Sequence, residues 1–548
     1  MSTKPILIDY KKSVGVLMSK INIETWDVED QQFWESKGKK IASRNLWISI
    51  PALLLAFAVW LMWGMIIVQM KKLGFTLGMP HATPADLKVI NELLWTLPAI
   101  AGLAGATLRI PNSFLIAVGG GRNVIFLTTS FLIIPALGAG IALQNPQTPF
   151  IIFAFLAATS GFGGGNFASS MSNISYFYPK RVQGTSLGLN AGLGNLGVSI
   201  MQFLIPVVIG GAFFGGLAGH GLPLMEIDGK KMIGELVFIQ NAGLVWVPLL
   251  ILSVVAAFLG MNNLKFATPK LGNYFSEFSK IAVMVFFGVV GAGVGSYLLK
   301  GLNLNMWIVL PATVVVTLLL MKFLSPKELK QNLNKQFAIF GNKHNWIMTI
   351  IYTMTFGSFI GYSASFPKLI QDVFGYLPGG VVNPHAPNPM TWAFLGPMVG
   401  ALIRPIGGWL SDKVKSGSKV TTWSTVTQVF AALGVAFFIV KAKGAATPET
   451  FWWPFFFLFM VLFCATGVGN GSTFRSIPYI FNKEQAGPVL GWTSAIAAYG
   501  AFIIPQVFGQ QIKAGHAEYA LYGFVVYYVI CLILNWYYYD RKNSEVKC

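Results

Sequence analysis

The chain is 548 residues long, 54% hydrophobic and only 11% charged, with a mean hydropathy of +0.61. A soluble domain carries roughly 25% charged residues, so this chain lacks the polar side chains to cover a water-facing surface, and an integral membrane protein is expected. The formal charge of +19 is spread between apolar runs rather than gathered in one patch, which argues against a nucleic-acid partner.

Residues 1–44 form a leader with eight basic and six acidic side chains, including WDVEDQQFWESKGKK. So charged a segment is not a cleavable signal peptide; it reads as a solvated cytoplasmic anchor or a short amphipathic helix at the membrane surface. A membrane span needs about 20 mostly apolar residues. Six such stretches follow, near 45–70, 91–117, 123–144, 149–176, 184–212 and 237–261. Two plain apolar runs, 279–299 and 304–324, come next between the polar loops LKFATPKLGNYFSEFSK and LSPKELKQNLNKQF. They carry no polar cluster and read as an inserted hairpin. Six more runs close the chain, near 345–367, 390–411, 419–440, 451–478, 486–510 and 518–539, for fourteen spans in all.

This divides the chain into a leader (1–44), a six-helix half (45–262), a central region with the hairpin (263–344), a second six-helix half (345–540) and a tail (541–548). Lys180, Arg181, Lys413, Lys415, Lys419, Arg541 and Lys542 fall on one side, which the positive-inside rule makes cytoplasmic, together with both termini. Cys464, Cys531 and Cys548 have no paired spacing, so neither a disulfide nor a metal site is expected.

The two halves repeat one another. TLRIPNSFLIAVGGGRN in the second span has a counterpart in LIRPIGGWLSDKVKSG in the tenth, and GGNFASSMSNISYFYPK in the fourth has one in GNGSTFRSIPYIFNK in the twelfth. Arg109 and Arg404 are 295 residues apart and Asn166 and Asn470 are 304 apart. Repeats in the same orientation put a site at the interface between the halves, and six plus six is the major facilitator arrangement. The expected fold is an all-α polytopic membrane protein with two six-helix halves plus the hairpin.

Arg109 and Arg404 each lie some ten residues before a cytoplasmic turn, about 15 Å along a helix, near the middle of a ~30 Å hydrocarbon core. An arginine there costs on the order of 3 kcal/mol or more, and no acid lies at comparable depth. The missing partner is read as a bound anion; the competing reading is hydrogen bonding to helix carbonyls freed by Pro111 and Pro405. A planar guanidinium fork suits a small flat oxyanion. Arg475, nearer the cytoplasmic end, reads as a snorkelling side chain, with an inner gate as the alternative. The run GFGGGNFASSMSNIS (161–175) and GLNAGLGNLG (188–197), with Asn190 and Asn195, let helices approach closely and offer hydrogen bonds. Tyr352 and Phe356, four residues apart, share a helix face; they read as core packing or as a hydroxyl donor with a flanking aromatic.

GFGGGNFASSMSNISYFYPK and GVGNGSTFRSIPYIF closely resemble the paired signature motifs of the nitrate/nitrite porter family of the major facilitator superfamily. KIASRNLWISIPALLLAF, TLRIPNSF, NAGLGNLGVSIMQ and TFGSFIGYSASF are similar to the bacterial nitrate/nitrite exchangers as well. The resemblance covers nearly the whole chain outside 270–335. It implies that Arg109 and Arg404 clamp the anion, Tyr352 hydrogen-bonds it, and Phe57, Phe167 and Phe356 pack around it. Asn195 and Gly491 match a polar residue and a glycine of the corresponding helices. Two departures stand out: Ala191 where some members have glycine, and the extra hairpin.

The resemblance further implies a bacterial inner membrane protein that binds nitrate and nitrite; a monomer in membrane lipid, with no cofactor, is expected. Obligatory nitrate/nitrite exchange is the expected mechanism. Nitrate–proton symport is the alternative within transport, and a non-transporting sensor or scaffold the alternative outside it. No catalytic dyad, cofactor loop or metal spacing suggests an enzyme.

Overall fold

The structure, a computed structural model, describes residues 22–79, 84–225, 232–268, 272–378, 381 and 383–548; the first 21 residues of the leader lie outside it. A backbone in hydrocarbon must satisfy its N–H and C=O groups internally, and the apolar runs accordingly form helices. The first half comprises α1 (Gln31–Lys72), α2 (Pro84–Asn112), α3 (Gly121–Ala142), α4 (Phe150–Phe177), α5 (Lys180–Val208) and α6 (Asn241–Gly260). The hairpin is α7 (Tyr274–Leu299) and α8 (Met306–Leu324), followed by a short helix α9 (Lys327–Gln336). The second half comprises α10 (Lys343–Phe374), α11 (Leu395–Leu402, resuming as Arg404–Val414), α12 (Gly417–Ala442), α13 (Pro448–Ile480), α14 (Lys483–Lys513) and α15 (Ala517–Asp540).

Among the described residues thirteen helices are long and apolar enough to cross a membrane. The run read as the tenth span, 390–411, is the exception: it is covered by Pro389–Trp392 and the two segments of α11. Pro405 has no N–H for the carbonyl four residues back, so the helix breaks at Ile403 and restarts on the arginine itself.

Across the interface between the halves, α5 packs on α11 and α13, and α14 packs on α2 and α4. The end of the bundle holding residues 113–120, 178–183, 261–268, 325–342 and 413–418 is called basal below. The glycine-rich run of α4 packs within the first half, against α1 and α2. A Cβ on Gly164 would stand 2.5 Å from Gly105 Cα, and one on Gly161 would stand 2.7 Å from Ala104 Cβ. In the second half, one on Gly467 or Gly471 would strike the backbone of Gly400 or Arg404. The glycines therefore buy backbone-to-backbone packing of α4 on α2 and of α13 on α11.

The described part of the leader is packed, contrary to a wholly solvated anchor. Trp26, Val28 and Trp34 are buried, the Trp26 indole donates to the Tyr176 carbonyl at 3.1 Å, and Asn22–Ile23 pairs in parallel with Asn263–Leu264. The tail is fastened too: Glu545 meets Lys343 at 2.7 Å, and the Ser416 and Ser418 hydroxyls donate to the Cys548 main-chain oxygen.

Candidate functional site

Arg109 and Arg404 are both fully buried and sit across the interface between the halves. Neither forms an ion pair with a carboxylate among the described residues. Arg109 Nε donates to the Gly164 carbonyl at 2.6 Å and its Nη1 to the Ser494 carbonyl of α14 at 3.2 Å. Arg404 Nη1 reaches the Ala191 carbonyl of α5 at 3.4 Å. Each arginine thus points from its own half to a helix carbonyl of the other. These acceptors belong to α4, α14 and α5, not to the turns opened by Pro111 and Pro405. Arg109 Nη2, Arg404 Nε and Arg404 Nη2 are left buried without a hydrogen-bond partner, a state that costs several kcal/mol for charged donors in an apolar interior.

Aromatic rings line the two forks. Phe167 and Phe356 stack on one another at 5.1 Å and 17°, and the Arg109 guanidinium lies 4.8 and 4.9 Å from their centres. Phe57 stands 5.8 Å from the same guanidinium. Phe356 also faces Arg404, at 5.4 Å, so one ring serves both cations. Such contacts are worth about 0.5–2 kcal/mol each, and they stabilise charge without neutralising it. A π-helical turn over Thr353–Gly357 accommodates an extra residue in this stretch of α10; such bulges concentrate at functional sites.

Tyr352 is buried against Phe356 and Phe474, and its hydroxyl makes no hydrogen bond. The Asn470 amide approaches that hydroxyl without reaching hydrogen-bond geometry, and both its polar atoms are unpartnered. Asn195 donates at 2.7 Å to the same Ala191 carbonyl that Arg404 uses, leaving its Oδ1 free of partners. Gly491 does not touch the forks. A Cβ there would strike Ser113 at 2.6–2.9 Å, so this glycine lets α14 close on α2 one turn from Arg109.

Three residues at the site were not singled out from the sequence. Phe359 lies 4.0 Å beneath Arg404, and Trp60 lies 5.2 Å from Arg109 with its indole bonded to the Ala101 carbonyl at 2.7 Å. Asn470, read from the sequence only as the repeat partner of Asn166, is the third. Phe359 was findable: 352, 356 and 359 follow one helix face.

Arg475 does not snorkel. It is 4% exposed, 3.8 Å from Asp412 and 4.2 Å from the Tyr479 ring. Asp412 in turn accepts from Thr185 N at 2.8 Å and Thr185 Oγ1 at 2.7 Å, capping the start of α5 from the opposite half.

The chain is 36% identical to the "Probable nitrate/nitrite antiporter NarK2" of Thermus thermophilus, over 96% of this chain and 98% of that one. It is 34% identical to the "Nitrate/nitrite transporter NarU" of Escherichia coli over the same shares. The profile of the Major Facilitator Superfamily matches residues 22–202. Among solved structures, the proton:xylose symporter XylE bound to 6-bromo-6-deoxy-D-glucose superposes with a TM-score of 0.58 at 11% identity, over 91% of this chain and 96% of that one; at that identity the likeness concerns the fold. With a relative above one third identity along nearly its whole length, the chain belongs to the nitrate/nitrite porter family of the major facilitator superfamily, as a multi-pass protein of the plasma membrane.

Proposed function

We propose that this protein exchanges nitrate for nitrite by alternating access, with Arg109 and Arg404 holding the anion between the two halves. The observation that carries the reading is the pair of buried guanidiniums, each with unpartnered N–H groups and no carboxylate partner among the described residues, set among flat aromatic walls. A trigonal monovalent oxyanion accepts from both forks in its plane while Phe167 and Phe356 offer it their faces. Tyr352 supplies a further donor, and Asn195 holds the carbonyl that aims Arg404. The names of the relatives support the same substrates.

Exchange follows from charge. With an anion between them the two cations are screened and the halves can rock past the closed state; without one, two like charges sharing the Phe356 ring in a low dielectric oppose that passage. The test is counterflow in proteoliposomes. Labelled nitrate should enter only vesicles loaded with nitrate or nitrite. Equal uptake into empty vesicles, or uptake that follows a proton gradient, would refute exchange.

The basal face is assigned to the cytoplasm, since it carries Lys180, Arg181, Lys413, Lys415 and Lys419. Asp412 then belongs to the inner seal. Loss of its charge-assisted bonds to Thr185 is worth about 1.5–3 kcal/mol. Asp412→Ala should therefore speed maleimide labelling of a cysteine placed at the buried Ser186, next to Thr185, by about tenfold or more. Asp412→Asn, which keeps an acceptor for Thr185, should fall between.

A further inference from the structure

The inserted hairpin is fastened to the helix that carries Arg109. Gly288 of α7 lies against Leu108 and Pro111, where a Cβ would stand 2.7 and 2.9 Å from their side chains, and Gly291 lies against Thr107 and Thr317. Leaving the hairpin, the chain runs as α9 under the basal end of α2. Asn332 Nδ2 donates to the Ala117 carbonyl at 2.9 Å and Gln336 Nε2 to the Phe114 carbonyl at 3.1 Å. Leu329 and Leu333 are buried beneath it, and Lys280 of α7 ties to Glu328 at 3.6 Å. These attachments are to the first half or to the hairpin itself, while the hairpin's far turn shares a cavity with Phe502, Gln506 and Gln510 of α14.

The next turn crosses over. Phe337 packs on Phe114 at 5.2 Å; Phe340 packs on Phe114 at 6.3 Å and also on Trp492 of α14 at 4.7 Å, edge to face. Trp346 of α10 flanks Phe340 at 6.0 Å and its indole donates to the Phe340 carbonyl at 3.0 Å. Phe340 is thus wedged between the basal ends of α2 and α14, which must part if the basal side is to open. A Cβ on the next residue, Gly341, would meet nothing within 4 Å among the described residues, so the wedge joins α10 through an unencumbered turn.

We propose that the hairpin and α9 form a strap that holds the basal side closed, with Phe340 as the catch, so that the insertion regulates access to the site described above. The strap is anchored on the first half through α2 and engages the second half through Trp492 and Trp346. Opening requires the catch to leave either Phe114 or Trp492. Removing the catch shifts the population toward basal-open without altering the anion site. The insertion is therefore a bias on alternating access, in a chain whose remaining twelve helices supply the transport path.

The regulatory claim rests on the transport reading, whereas its test reads distance. In a background with Cys464, Cys531 and Cys548 replaced by serine, spin labels on Arg181→Cys and Lys419→Cys report the separation of the two halves at the basal face. Phe340→Ala, and independently Asn332→Ala with Gln336→Ala at the other end of the strap, should each raise the longer-distance population about threefold over the parent. Distributions unchanged from the parent in both variants would overturn the strap. Nitrate failing to move the distances in the parent, with Phe340→Ala still lengthening them, would remove the nitrate reading and leave the strap standing.

Discussion

Arg109→Lys and Arg404→Lys are each expected to reduce nitrate counterflow by about a hundredfold, or about 2.7 kcal/mol of lost stabilisation at the rate-determining barrier. Charge is conserved in both, so the loss isolates the fork. Arg109 uses Nε and Nη1 to hold Gly164 and Ser494 and still has Nη2 over. An ammonium is a point charge with three donors on a flexible stem; it cannot hold two fixed carbonyls and present a planar, bidentate edge as well. At Arg404 the cost has a second source, since a guanidinium stacks on Phe359 at 4.0 Å and an ammonium does not stack. Labelled-nitrate counterflow, normalised to folded protein in the vesicles, reads the effect. A sensor or scaffold would be indifferent to either change, and retention of half the parent rate would remove the anion clamp from the account.

Much of this was legible because two signals in the chain are nearly independent of tertiary detail. Burial of charge is one: Arg109 and Arg404 stand out in apolar runs whichever helices surround them. Repetition is the other: matched arginines and matched glycine runs place a site between halves before any contact is known. What periodicity gives is depth and face, not neighbours. Arg475 was misplaced for that reason. Its depth suits snorkelling, and only the fold shows Asp412 brought to it from α11, with Thr185 beyond. The break in α11 was legible only as carbonyls freed by Pro405, because the run is apolar enough to span and a proline near an arginine does not announce that the helix stops at Ile403. The hairpin had no polar cluster to give it a role; its glycines meet Leu108 and Thr107 only in three dimensions. Phe359 and Trp60 were readable from helical spacing, yet rings are common in membrane helices and the ones under a cation look like the rest.

Gly164→Ala should impair transport nearly as much as loss of an arginine, although it adds one methyl and removes no polar group. The new Cβ would stand 2.5 Å from Gly105 Cα and 2.8 Å from Gly105 C and O, all main-chain atoms with no rotamer to yield. Gly105 is itself crowded by the Trp60 indole, which stands 2.2 Å from where a Cβ on Gly105 would be and is held to the Ala101 carbonyl. Overpacking of this kind costs about 1–3 kcal/mol, relieved by moving α4 off α2. That same movement carries away the Gly164 carbonyl, the shortest bond Arg109 makes, and a displacement near 1 Å at a positioned group can cost about a hundredfold in rate. Gly102, on α2 with Gly105 and where a Cβ would meet nothing within 4 Å among the described residues, is the control: Gly102→Ala should leave both thermal stability and counterflow at the parent level. If the two substitutions behaved alike, the glycines of α4 would be serving membrane packing at large, and Arg109 would owe its aim to something other than the close approach of these two backbones.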